Sequence, residues 1–305
     1  MRDSIHKYFQ VGLISFMAYP ANMRGTDENV LDALRKVAYD DYFNAIEVNW
    51  IKDDALRAEA AKLLKTSHLK VCYGAQPRLL TTGLNTCDID EKGRKAAEAT
   101  LMEAIDEAEQ LGAGGIAFLA GKWAEETKEQ AYRQLLKTTR NLCAYAKTKS
   151  IIVELEVFDY DIAKKSLIGP APLAAKFAAD MRTTCDNFGL MIDLSHIPMT
   201  YEDPEFVVRM LRPYITHFHV GNTVCGDPQA EGYGDEHQRF GFPGGSNNIP
   251  EVLDYLRVLK NEGFFNAKKP YVLSFEVKPW QDEDPDAVVA NAKRVLNRAW
   301  ALLED

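Results

Sequence analysis

Short apolar runs alternate with longer amphipathic segments eight times along the chain, and this alternation most restricts the folds open to it. The apolar runs are FQVGLISFMAY (Phe9 to Tyr19), NAIEVNW (Asn44 to Trp50), LKVCYGAQ (Leu69 to Gln76) and GGIAFLAG (Gly114 to Gly121), followed by IIVELEVF (Ile151 to Phe158), GLMIDLS (Gly189 to Ser195), ITHFHVG (Ile215 to Gly221) and PYVLSFEV (Pro270 to Val277). Their length, and a content rich in β-branched and aromatic residues, is that of buried strands. Each is followed by a stretch of helical spacing. After the first, TDENVLDALRKVAYDD offers a cap at Thr26 or Asp27 and apolar residues at Val30, Leu31, Leu34 and Val37. After the third, a loop from Pro77 to Asp90 leads to a long helix that stops at Gly112, as helices often do.

Eight strand–helix units, joined by right-handed crossovers, predict a parallel α/β barrel, the (β/α)8 or TIM barrel. A length of 305 residues suits one such barrel with insertions, and no Pro/Ser-rich linker divides it, so residues 1–305 are expected to form a single domain. A doubly wound open sheet fits less well: no G-x-G-x-x-G follows the first strand, and polar residues are spread over many strand ends. The segment from Asn222 to Asn248, after the seventh strand, is enlarged. Loops of that length are uncommon unless they are lids or disordered, and Tyr233, Phe240 and Phe242 argue for packing.

The charge balance removes several function classes. A net charge of −9 opposes non-specific nucleic-acid binding and anionic membranes. No apolar run reaches the roughly 18 residues of a spanning helix, and the N-terminal MRDSIHKYFQ has no apolar signal core. A cytoplasmic protein is expected. The five cysteines, Cys72, Cys87, Cys143, Cys185 and Cys225, are scattered without a CxxC and read as reduced, buried thiols.

Chemistry enters at strands five to eight. GLMIDLSHIPM opens as a buried strand and then presents Asp193 and His196. An ionisable pair at the end of a buried strand is costly unless something pairs with it. Strand five carries Glu156, strand seven His219 and strand eight Glu276 at or near the C-terminal end. Glu154 and Glu156 share a face, as do His217 and His219; the later residue of each pair is nearer the mouth and preferred. Two Glu, one Asp and one His make an oxygen-rich set that suits Mn²⁺, Mg²⁺ or Co²⁺ better than structural Zn²⁺. A site of this kind suits proton removal next to a sugar carbonyl, with two carboxylates to take and return the proton.

The pattern resembles the xylose isomerase-like TIM barrels, often described as sugar phosphate isomerases/epimerases, over nearly the whole chain. It is carried by Glu156 in ELEVFDYD, Asp193 and His196 in MIDLSHIP, His219 in THFHVGN, Arg239 in QRFGFPGG and Glu276 in SFEVKP. In the ketose 3-epimerase branch the resemblance implies Glu156, Asp193, His219 and Glu276 as ligands of one divalent ion, with Mn²⁺ expected. It implies Glu156 and Glu276 as the acid/base pair, and His196 and Arg239 on substrate oxygens. Two departures stand out. The branch has Asn-Arg-x-Glu after the fifth-strand Glu where this chain has Asp159-Tyr160-Asp161, and Arg239 lies twenty residues beyond His219 rather than close to it. Related inosose dehydratases and C-glycoside deglycosidases run the same proton chemistry as an elimination, so a lyase acting on a keto-sugar or 3-keto C-glycoside is the alternative reaction. A non-catalytic sugar-binding barrel is the alternative of another class. The expected partner is a small sugar or keto-sugar, the expected assembly a homo-oligomer, with a small partner subunit if deglycosidase-like.

Besides Arg239, which can equally anchor the loop by a salt bridge, three residues are candidates for substrate contact at the mouth: Glu47, with a structural salt bridge as its alternative, Trp123 and Lys278. Trp50, Trp123, Phe158 and Trp280 all follow strand ends and can together wall a sugar or aryl group. His237 is expected to be solvent-exposed. A relative of endonuclease IV would want more His ligands and a basic face, neither of which is evident.

Overall fold

The computed structural model describes residues 1–20 and 29–304. Eight strands close into a barrel in sequence order, every neighbouring pair parallel. They are β1 (Phe9–Ile14), β2 (Ala45–Val48), β3 (Lys70–Gly74), β4 (Gly115–Leu119), β5 (Ile152–Glu156), β6 (Phe188–Asp193), β7 (Ile215–Gly221) and β8 (Tyr271–Glu276). The helices are α1 (Ser15–Ala18), α2 (Asn29–Ala38), α3 (Asp54–Ser67), α4 (Gln76–Thr82), α5 (Glu91–Gln110), α6 (Lys128–Lys147), α7 (Ala171–Arg182), α8 (Pro204–Leu211), α9 (Ile249–Asn261) and α10 (Pro285–Leu302). This is the α/β barrel that the alternation predicts. The cap expected at Thr26 or Asp27 lies outside the described residues.

Local chemistry sets the helix starts. Asp53, Asp90, Asp203 and Asp284 each accept backbone N–H groups of the following turn, satisfying donors that a helix start leaves free. Glu251 reaches back to the Asn248 N–H at 2.8 Å. Strands β2, β4 and β6 are buried along their whole length, since each faces helices on one side and the barrel interior on the other. The interior is narrow at β1: a Cβ on Gly12 would lie 2.5 Å from Ser274 Oγ and 3.0 Å from Ala45 Cβ. Glycine is therefore the residue that lets three strands close at that level.

Two segments differ from the sequence reading. The first apolar run is a strand only to Ile14, and Ser15–Ala18 turns into α1, where Ser15 Oγ donates to the Glu47 carbonyl at 2.7 Å. The third run stops at Gly74, and α4 occupies the start of the segment read as a loop. Its driving contact is remote in sequence. Arg78, buried, donates to the Glu107 carboxylate of α5 and to Tyr73 Oη at 3.1 Å, and lies 4.4 Å from the centre of the Trp50 ring. Glu107 also accepts from the Ile51 N–H at 2.7 Å. Burial pushes its carboxyl pKa up, against the pull of Ile51 and Arg78.

Removing one partner of a buried pair leaves an uncompensated charge. Glu107→Ala is expected to lower the unfolding free energy by about 3–5 kcal/mol in urea melts. A loss under about 1 kcal/mol would show that Glu103, whose carboxylate lies 3.6 Å from Arg78, compensates the guanidinium and that the Glu107 pair does not hold α4 in place.

Candidate metal centre

The last residues of β5, β6 and β8 are Glu156, Asp193 and Glu276, and His219 lies two residues before the end of β7. The ladder brings them level: Asp193 pairs with His219, and Gly221 with Glu276. Gly221 allows this convergence, because a Cβ there would sit 2.7 Å from the Glu276 carbonyl oxygen and 3.3 Å from Ser195 Cβ. One donor atom from each of Glu156, Asp193, His219 and Glu276 lies within 4.8 Å of the others. All four side chains are buried. His219 Nδ1 is 2.8 Å from Glu276 Oε2 and 3.4 Å from Glu156 Oε1. These are the four residues that the strand-end pattern picked out, and the structure brings them together.

Three carboxylates this close and this dry repel one another and lose their hydration. Glu156 Oε2 accepts from Gln76 Nε2 at 2.6 Å, but Glu156 Oε1 is buried with no hydrogen-bond partner. Asp193 accepts from the Ser195 N–H at 2.9 Å and from the Ser195 hydroxyl. Burial pushes the Glu276 carboxyl pKa up; His237 opposes this and Glu156 adds to it, and the net direction is upward. An orphaned carboxylate oxygen and an oxygen-rich donor set that an imidazole completes fit a hard divalent cation.

A second layer of charge rests on these donors. Asp235, from the loop after β7, lies 3.1 Å from His196 Nε2 and 2.7 Å from His237 Nε2, and is bonded to the Lys164 ammonium. His237 Nε2 is also 3.3 Å from Glu276 Oε1. Burial pulls both imidazoles down, but the surrounding carboxylates outweigh it and push His196 up to about 10 and His237 up to about 9. Asp235 is held well below the ordinary carboxyl range; burial opposes this, and His237, His196 and Lys164 prevail. Donor atoms of Asp193, His196 and His237 also lie within 4.8 Å of one another, so this group too can hold a cation.

His237 corrects the sequence reading: it is 2 % exposed, not solvated. The loop folds back over the strand ends, its His237 carbonyl accepting from the Lys278 N–H at 2.7 Å, and the carboxylates of Asp235 and Glu276 draw the ring inward. With His196, His219 and His237 all present, the site is also richer in imidazole than the sequence reading allowed. Asp235, Gln76 and Lys164 were missed. The Asp-x-His spacing of Asp235 and His237 in a long loop was the available signal.

The other candidates are placed as follows. His196 has both ring nitrogens engaged, Nδ1 at 3.0 Å from the Val157 carbonyl and Nε2 on Asp235, and packs 4.3 Å from the Phe158 ring. Glu47 is buried beneath His219, its Oε1 3.0 Å from His219 Nε2 and 2.9 Å from His217 Nε2. Glu154 lies a layer deeper than Glu156, with His217 and Thr216. Arg239 donates to Glu283 at 2.7 Å and Lys278 to Glu236 at 2.8 Å, both half-buried at the rim. Trp123 packs on the core edge under Lys128, Trp50 lies between Lys52 and Arg78, and Trp280 donates to Glu231 at 2.8 Å. A cavity of about 1130 Å³ opens at the opposite, N-terminal end of the barrel, beside Glu154, Thr216 and His217. The donor geometry, rather than that volume, marks the site, because the cavity contains none of the four donors.

Among solved structures the chain is similar to an L-ribulose 3-epimerase (17% identity, 96% of each chain covered, TM-score 0.74). It is also similar to a D-tagatose 3-epimerase-like protein (19% identity, covering 96% of this chain and 99% of that one, TM-score 0.71). A third is the IOLI protein with a bound zinc atom (15% identity, 97% and 100% covered, TM-score 0.72). No curated protein matches in sequence. At these identities the likeness shows the fold. The model of the xylose isomerase-like TIM barrels matches residues 32–298, most of the chain, and the protein belongs to that family.

Proposed function

We propose that the protein is a divalent-metal-dependent sugar isomerase or epimerase that moves a proton on the carbon next to a carbonyl. The observation that carries this reading is the convergence of Glu156, Asp193, His219 and Glu276, from four successive strands, with donor atoms within 4.8 Å and one buried carboxylate oxygen without a hydrogen bond. The epimerase names of several structural neighbours support it. Mn²⁺ is the expected ion, with Mg²⁺ or Co²⁺ as alternatives. A cation held by these four residues supplies Lewis-acid stabilisation of the negative charge that grows on a carbonyl oxygen.

The chain's own groups do the proton work. Glu156 and Glu276 both lie beside His219 Nδ1, so they approach the same volume. One takes the proton as the C–H bond breaks and its electron pair moves toward the carbonyl, giving an enediolate. The other, which enters the step protonated, gives its proton to the opposite face of the same carbon for epimerisation; for isomerisation a proton goes to the former carbonyl carbon while the adjacent hydroxyl passes its proton to the former carbonyl oxygen. His237 and His196 hold positive charge next to Glu276 and Asp193 and limit the repulsion among the carboxylates. Arg239 and Lys278 tie the 222–248 loop and its neighbours over the strand ends. Cytoplasmic location, homo-oligomeric assembly and an unphosphorylated substrate belong to the same proposal; among the described residues no helix is long and apolar enough to cross a membrane.

Elemental mass spectrometry of purified protein should find about one divalent ion per chain, reduced in Glu156→Gln. In a keto-sugar screen in deuterated water, wild-type enzyme should place deuterium next to the carbonyl. Glu156→Gln and Glu276→Gln should each cut turnover roughly 10²-fold or more. Near-normal turnover in either removes that residue from the mechanism, and loss of a leaving group without epimer would move the reaction to elimination. Stripping the ion with a chelator and restoring Mn²⁺ to a hundred times its Kd should raise the unfolding free energy by about 2.7 kcal/mol; an unchanged melt would argue against the metal site. Arg239→Ala should speed amide exchange across residues 222–248 and leave metal content unchanged, and unaltered exchange would dismiss the tether.

A further inference from the structure

Below the four donors the barrel interior is not apolar. Thr216 Oγ1 donates to Glu154 Oε1 at 2.7 Å, and His217 Nδ1 lies 3.4 Å from Glu154 Oε2. His217 Nε2 is 2.9 Å from Glu47 Oε1, and the same oxygen is 3.0 Å from His219 Nε2. Glu47, His217 and His219 are each 1–2 % exposed. Barrel interiors of this fold are ordinarily filled by branched aliphatic side chains, and two carboxylates with the His217 imidazole are an expensive substitute.

The geometry at Glu47 says what the chain of contacts does. One carboxylate oxygen cannot donate, so a close contact with two imidazole Nε2 atoms requires a proton on each of them. His219 then carries its proton on Nε2, which leaves Nδ1 as the atom facing Glu276 Oε2 and Glu156 Oε1. The backbone of Glu47 is itself held, its carbonyl accepting from the buried Ser15 hydroxyl at 2.7 Å. His217, between Glu47 and Glu154, keeps the carboxylate from turning away.

We infer that Glu47 is a positioning residue, buried under the site, that fixes the ring plane and tautomer of His219 so that Nδ1 is presented to a metal ion, with His217 and Glu154 bracing it from below. A carboxylate on the far nitrogen of a ligating imidazole also raises its strength as a ligand. The inference rests on the metal-dependent reading above. It moves Glu47 from the substrate side of the site to its foundation.

The test uses Mn²⁺ alone, titrated into metal-stripped wild-type and Glu47→Gln protein and followed by calorimetry and by the electron paramagnetic resonance of free Mn²⁺. The amide keeps the shape and an oxygen that can accept from both imidazoles, but it lacks the negative charge that holds a proton on each Nε2 and strengthens His219 as a ligand. We expect wild type to bind one ion and Glu47→Gln to bind it tenfold to a hundredfold more weakly. Equal affinity in the two proteins overturns the inference and leaves the metal reading standing. Two ions in wild type and one in the variant also overturns it, since Glu47 would then be a ligand. No binding by wild type takes down the metal reading, and the inference with it. Should Glu47→Gln not fold, ¹⁵N-histidine NMR of Zn²⁺-loaded wild type decides: a proton on His219 Nε2 supports the inference, and a bare Nε2 overturns it.

Discussion

Three carboxylates crowded into a dry strand-end layer are the constraint on which the rest of this site depends. Water cannot screen Glu156, Asp193 and Glu276 there, and their mutual repulsion has to be met by positive charge or by hydrogen bonds. The protein meets part of it with His219 from within the layer, and with His196 and His237 from the loops above. Gln76 supplies a hydrogen bond from the start of α4. What is left over is a Glu156 oxygen with no hydrogen bond, a feature that fits the proposed cation.

The barrel explains why those groups meet. Strands that run parallel deliver their last residues to one rim, and the ladder holds Asp193 level with His219 and Gly221 level with Glu276. Residue types with quite different reach thus converge without any one side chain spanning the barrel. The same register stacks His217 one layer below His219 and Glu154 one layer below Glu156, so the polar column continues toward the N-terminal end. A helix bundle with the same composition would have no such layering.

Strand-borne features were legible in the sequence, because period-two alternation fixes which residues face together and strand order fixes which end they reach. Glu156, Asp193, His219 and Glu276 needed nothing more. Glu47 shows the limit: its place in AIEVNW put it in a strand, but not at what depth, and depth follows from the stagger between β1, β2 and β3, which no local pattern records. Loop-borne features were legible only as spacings, Asp193-x-x-His196 and Asp235-x-His237, which carry no record of burial. His237 sits among polar residues and reads as solvated, yet the loop path brings it against Glu276. α4 has local signals in Pro77 of its first turn and Gly83 at its left-handed C-cap, but the bond from Arg78 to Glu107 in another helix is a contact that its own segment does not announce.

The enlarged loop has a consequence for how this rim varies. The four donors ride on strands, where a shift in register would break the barrel. Asp235 and His237 ride on a connection whose length the barrel does not dictate, yet they set the charge felt by Glu276 and Asp193. Exchanging that one connection would rewrite the charge around the four residues while leaving their placement untouched. Charge and donor geometry are carried by separable pieces of chain, so that either can change while the other stays.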